Sequence, residues 1–212
     1  CSGGDVTRVS VHSKLESGIY AEGGKLYRVE GDDRRKVADL DALGSLRGYH
    51  NAQNACVAWM ACSKCGLSEN EIQSGFSNFP GLIDRMEELG RVGKVLIVND
   101  SKGTNADATD MALGSFERIY WIAGGLAKDG GIEPLRRHFS KIAKAYLIGE
   151  AAPNFAGTLG ERVEFEISGT LDKALVNALE DAKGDGDPEP VILMSPACAS
   201  FDLFKNYEDR GR

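Results

Sequence analysis

Residues 99–105, Asn-Asp-Ser-Lys-Gly-Thr-Asn, place six polar or charged side chains in seven positions, directly after the apolar run Val95–Val98. An ordinary turn needs one or two such residues and a glycine. The branched apolar run reads as a buried strand, so the polar knot lies at a strand's carboxyl end. Thr104 followed by Asp107 reads as a helix N-cap, which leaves backbone N–H groups pointing outward, and Lys102 adds a full positive charge beside them. That combination suits a carboxylate or a phosphate. Capping alone does not explain Asp100 and Lys102.

Two later stretches have the same character. In "GGLAKDGG" (124–131) the paired glycines Gly124 and Gly125 let backbone approach a ligand closely, and Lys128 can reach across the same edge. In "SPACASFDLFKNYEDRG" (195–211) only small residues separate a strand from a helix, and Ser200 stands where an N-cap would. Phe201, Phe204 and Tyr207 follow at helical spacing; the first two read as core, while Tyr207 fits either core or site. The three histidines are scattered, and no Ser/His/Asp or Cys/His arrangement can be built from them. Cys62 and Cys65 form a lone CxxC, two ligands short of a closed zinc site. The sequence G-x-x-x-x-G-K-[ST] is absent, so the chain carries no phosphate-binding P-loop of its own.

The elements that must hold these stretches fall into two regions. Residues 1 to about 47 alternate in short runs, with "GIYAEGGKLYRVE" reading as a β-hairpin about Gly23-Gly24. Two helices follow, over roughly 50–65 and from Ser68 to about Asn78, the second opened by the capping-box pair Ser68 and Glu71. Pro80-Gly81 then breaks the pattern and marks the expected boundary between domains 1–80 and 81–212. Beyond it, strands at 95–98, 119–123, 144–148, 163–167 and 190–194 alternate with helices near 104–116, 131–140, 151–159, 170–182 and 201–212. That alternation predicts an α/β fold, a Rossmann-like, doubly wound, mostly parallel sheet with helices on both faces. Ligands of such sheets bind beyond the carboxyl ends of the strands, where all three polar stretches lie.

Composition limits the function classes. The chain has 212 residues, 42% apolar and 27% charged, with a net charge of −7. An acidic balance excludes a nucleic-acid footprint, which needs a basic face. No apolar run approaches a membrane span, and no secretory leader pattern is present. Five cysteines, odd in number and mostly in apolar surroundings, fit a reducing cytoplasm.

Taken in order, "GYHNAQN" (48–54), "FPGLIDRME" (79–87), "NDSKGTN", "GGLAKDGG" and "SPACASFDLFKNYEDRG" resemble the C-terminal half of the Mur ligase family, and within it the branch that adds D-glutamate. The resemblance implies a cytoplasmic, ATP-dependent, amide-forming enzyme of peptidoglycan synthesis, working as a monomer. ATP would phosphorylate the carboxylate of UDP-N-acetylmuramoyl-L-alanine, D-glutamate would attack the acyl phosphate, and Mg²⁺ would neutralise developing charge. It implies that 1–80 is the tail of a central ATPase domain and 81–212 the D-glutamate domain. Asn54, Arg85 and Asp100 match ATP-contacting positions, with Lys102 at the same edge. Thr104, Lys128, Ser200 and Tyr207 match positions that hold D-glutamate. Asp84 stands where the family usually has His, Gly103 where it usually has Ala, and Tyr207 where Phe is common. The family's P-loop, its Mg²⁺ ligands and its modified lysine have no counterpart here, which implies a portion of a longer ligase, inactive by itself, with neither catalytic nor metal residues. The alternative is a free-standing Rossmann-like module that binds a nucleotide or acidic metabolite without ligation.

Overall fold

A computed structural model describes residues 6–127 and 130–212, in two compact units, Cys1–Pro80 and Gly81–Arg212. The first unit carries a four-stranded sheet of β1 (Val9–Ser10), β2 (Ser17–Glu22), β3 (Lys25–Glu30) and β4 (Asp33–Asp39), in that order. β2 and β3 pair antiparallel about Gly23-Gly24, both at positive φ, as a tight hairpin requires. Against one face lie α1 (Tyr49–Lys64) and α2 (Glu69–Ser77). Ile19, Leu26, Cys56, Trp59 and Ile72 form the shared core. The capping box at Ser68 and Glu71 is present in full.

The second unit is a six-stranded sheet in the order β5 (Glu87–Val92), β6 (Val95–Asn99), β10 (Val191–Met194), β7 (Ile119–Gly124), β8 (Ile142–Ile148), β9 (Phe165–Gly169). All neighbours are parallel except β5, which folds back antiparallel on β6. Sequence periodicity does not announce β5, because "EELGRV" carries only two large apolar residues and is bulged near Gly90. It is an exposed edge strand.

Residues of alternating parity along the parallel strands face opposite sides. Leu96, Val98, Trp121, Leu147 and Leu193 pack under α3 (Ala106–Leu113), a 3₁₀ helix (Glu133–Lys141) and α4 (Ala152–Leu159). Val95, Tyr120, Tyr146, Ile148 and Ile192 pack under α5 (Leu171–Gly184), through Ala174, Ala178 and Ala182. The sheet is thus covered on both faces, by one helix on the second. α6 is shorter than the expected 201–212 and spans only Tyr207–Gly211. The chain before it turns about Ser200, whose carbonyl accepts from Leu203 and Phe204 N–H. Phe201 is 69% exposed, so the helical spacing of Phe201, Phe204 and Tyr207 does not describe a core stripe. Among the described residues no helix is long and apolar enough to cross a membrane.

Candidate functional site

The parallel register sends the segments after β6, β7, β8 and β10 to one edge of the sheet, and backbone hydrogen bonds stitch them together there. Asp100 N–H donates to the Met194 carbonyl (2.8 Å) and Ala197 N–H to that of Gly103 (2.9 Å). Leu126 and Ala199 exchange bonds of 2.9 and 3.1 Å, and Gly125 N–H reaches the Ile148 carbonyl at 3.1 Å. A Cβ at Gly125 would stand 2.4 Å from the Ala199 carbonyl oxygen, and one at Gly124 2.0 Å from that of Ile148. The close approach these glycines allow is therefore to the protein's own backbone, where the sequence suggested a ligand.

The loop Asp100–Asn105 is braced from several directions. Asp100 is buried; its Oδ2 accepts from Ser195 Oγ at 2.6 Å and its Oδ1 from Met86 N–H at 3.2 Å. Burial pushes this carboxyl up to about 6, against the Ser195 and Met86 hydrogen bonds and the charges of Arg85 and Arg210. The group that the family resemblance places against ATP faces inward here. Lys102 is exposed, its N–H held by the Asp84 carbonyl (2.9 Å) and its Nζ 5.5 Å from the centre of the Tyr207 ring. Thr104 is half-buried, but it does not cap α3: Asn105 Oδ1 accepts from Ala108 N–H at 2.9 Å and takes that role. Ser200 is not a helix cap either, because Asn206 caps α6 through a 2.8 Å bond from Asp209 N–H. Ser200 is buried. Tyr207 is half-buried, its carbonyl accepting from Ser101 Oγ at 2.7 Å.

Arg85 is exposed, in a turn flanked by Asp84 (φ 61°) and Met86 (φ 49°). Asp84 is buried, and its Oδ1 accepts from Asn99 Nδ2 at 2.9 Å. That carboxylate braces the turn to β6 and is not presented to solvent. Arg85, Lys102, Thr104 and Tyr207 thus meet around the end of β6, with Ser200 on the adjoining loop. Asn54 lies exposed on α1 in the first unit, and Lys128 falls outside the described residues.

Sequence reasoning missed Arg210. It is 2% exposed, and its guanidinium donates to the Ser101 carbonyl (2.8 Å), Ser101 Oγ (3.0 Å) and the Cys198 carbonyl (3.1 and 3.2 Å). Burial lowers it to about 10, with Cys198, Asp202 and Asp100 acting in the opposite sense. One side chain therefore ties the segment after β6 to that after β10. Cys56 and Cys198 are buried thiols, which burial pushes up to about 11 and about 12, far from a reactive thiolate. Among the described residues no group of three or more His, Cys, Asp or Glu could hold a metal ion.

The chain is 56% identical over 210 residues to the UDP-N-acetylmuramoylalanine–D-glutamate ligase of Chelativorans sp. (strain BNC1), and 59% identical over 210 residues to that of Mesorhizobium japonicum. It resembles the D-glutamate-adding Mur ligases. The matches take in 99% of this chain, which spans about half the length of these curated relatives (45%). No family model matches. Among solved structures, the fold is shared with UDP-N-acetylmuramate–alanine ligase MurC from Thermotoga maritima (TM-score 0.56, 14% identity, 82% of this chain and 40% of that one). It is shared also with E. coli FolC, solved with ADP (TM-score 0.56, 16% identity, 93% and 45%). The α/β fold expected for a Mur ligase is thereby shown.

Proposed function

We propose that the chain is the C-terminal portion of the ligase that joins D-glutamate to UDP-N-acetylmuramoyl-L-alanine in the cytoplasmic stage of cell-wall synthesis. Gly81–Arg212 is the part that receives D-glutamate, and Cys1–Pro80 the end of an ATPase domain whose P-loop lies elsewhere in the full protein. The observation that carries this reading is the meeting of exposed Lys102 and Arg85 with half-buried Thr104 and Tyr207 at one strand end of an acidic molecule. A small dianion overcomes a net charge of −7 only through such a local concentration of donors and cations.

Thr104, Lys128, Ser200 and Tyr207 take the two carboxylates of D-glutamate in this proposal. Their task is to aim its amine at an acyl phosphate, so that the amine displaces phosphate and an amide forms. Asn54 in the first unit and Arg85 and Lys102 in the second are assigned to ATP in the same proposal, with Asp100 bracing the loop that carries Lys102. ATP supplies the phosphoryl group and a divalent cation its charge neutralisation. The described residues offer no ligand set for that cation, so no step here runs through it.

The test is a titration of the chain with D-glutamate and with L-glutamate, followed by amide chemical shifts. Shifts at Thr104, Ser200 and Tyr207 with the D-isomer alone support the assignment. A response to ATP with none to either glutamate overturns it in favour of a nucleotide-binding module.

A further inference from the structure

Ser195 is the first residue after β10 and is completely buried. Its carbonyl accepts from the indole Nε1–H of buried Trp121 at 2.8 Å, which fixes its backbone. Its Oγ lies 2.6 Å from Asp100 Oδ2 and 3.0 Å from Thr109 Oγ1, on the first turns of α3. A serine hydroxyl has one proton, and an ionised carboxylate is the stronger acceptor at the shorter distance. The proton is therefore drawn to Asp100, and Thr109 Oγ1, the alternative acceptor at 3.0 Å, competes for it from the other side. Two buried acceptors thus face one buried hydroxyl, and the carboxyl under the loop holds the closer place.

The neighbouring glycine shows that this contact is built. A Cβ at Gly103 would stand 2.5 Å from Asp100 Oδ2 and 2.7 Å from Ser195 Oγ. Gly103 is not at positive φ, so what its missing side chain provides is space, here and beside the Asp100 carbonyl oxygen at 3.0 Å. The Gly103 N–H meanwhile holds the Asp100 carbonyl at 2.8 Å, closing the turn on which Lys102 rides. Where the resemblance leads one to expect Ala, this glycine leaves the gap through which Ser195 and Asp100 meet.

We propose that Ser195, its backbone held by Trp121 and its hydroxyl admitted by Gly103, is the positioning residue that fixes the direction of the Asp100 carboxylate and thereby the loop presenting Lys102 and Thr104. That the loop receives D-glutamate rests on the function proposed above; the Ser195–Asp100 bond does not. The charged groups that act on Asp100 are Arg85, in the turn before β5, and Arg210, on α6. Both favour its ionised form, as does the Ser195 hydroxyl.

The experiment follows the Asp100 carboxyl by ¹³C shift against pH in the whole chain and in Ser195→Ala, Thr109→Val and Gly103→Ala. In the unaltered chain the midpoint falls near 6. Losing the donor in Ser195→Ala, or its reach in Gly103→Ala, raises the proton affinity of Asp100 about tenfold, while Thr109→Val, which removes the competing acceptor, does not raise it. The double variant Ser195→Ala/Gly103→Ala shows no more than the larger single effect, since both remove one bond. An unchanged midpoint in Ser195→Ala, with the variant folded, overturns the proposal, and so does full additivity in the double variant. Titrating the same samples with D-glutamate separates the two claims. A silent unaltered chain removes the substrate assignment while the midpoints still judge Ser195.

Discussion

At the scale of the residue, Asp100 has the sharpest consequence. Its folded carboxyl keeps a proton up to about pH 6, whereas an unfolded aspartate has lost it near 3.8. Folding is therefore favoured by acid at this group: the contribution is complete below 3.8 and is lost as pH rises through 6. Complete loss would amount to about 3 kcal/mol. Asp185 acts in the opposite sense. Burial favours its protonation, but hydrogen bonds from Tyr120 (2.5 Å), Asp187 N–H (2.8 Å) and Arg118 (2.8 Å) outweigh it and leave the carboxyl at about 2. Its contribution stands above 3.8 and disappears only as pH falls toward 2. Urea unfolding of the second unit between pH 4 and 7 should show stability declining with pH, and Asp100→Asn should flatten that decline. A slope identical in the variant would count against the buried carboxyl as its source. On the proposed function, Lys128→Ala in the full-length protein should weaken D-glutamate by roughly 1.5–3 kcal/mol through a lost charge-assisted bond, seen as a raised KM for D-glutamate with ATP unaffected. Damage to the ATP KM alone would refute that role.

At the scale of the element, the start of α3 separates capping from binding. Asn105 Oδ1 supplies the cap, so Asn105→Ala should cost about 1 kcal/mol of stability. Thr104→Ala should leave stability nearly unchanged and abolish the D-glutamate response. Denaturation midpoints and shift titrations on the two variants check this, and equal stability losses would return the cap to Thr104. The sequence mistook the cap by one residue because Thr104 and Asn105 are both good N-caps, and only backbone geometry chooses between them. The parallel strands, by contrast, were legible from their runs of branched apolar residues, and the loops after them from their crowding of polar groups. β5 was not, since an edge strand needs no apolar alternation and this one is bulged at Gly90. Residues 201–206 misled for another reason: Phe201 and Phe204 have helical spacing, yet hydrogen bonds to the Ser200 carbonyl close a turn there instead. Arg210 was illegible altogether. Nothing in "NYEDRG" marks a buried cation, because the acceptors that satisfy it come from Ser101 and Cys198, and such partners exist only once the chain has folded.

At the scale of the molecule, each unit encloses a hydrophobic core of its own. Gly81–Arg212 expressed alone should therefore fold, keep its two-faced sheet and respond to D-glutamate as the whole chain does. Circular dichroism and the shift titration test this, and an unfolded product would show that the larger unit borrows stability from Cys1–Pro80. Within Gly81–Arg212 the brace between Ser101 and Arg210 spans 109 positions of sequence. A ribosome adding 5–20 residues each second needs roughly 5–20 s to make that stretch. The loop at the end of β6 thus leaves the ribosome long before the arginine that locks it. Throughout that interval a nascent chain can already hold β6 and α3 while Ser101 waits for its guanidinium. The sheet waits as well, because β10 lies between β6 and β7 and comes only at Val191–Met194, so the strand and the arginine that close this edge arrive almost together.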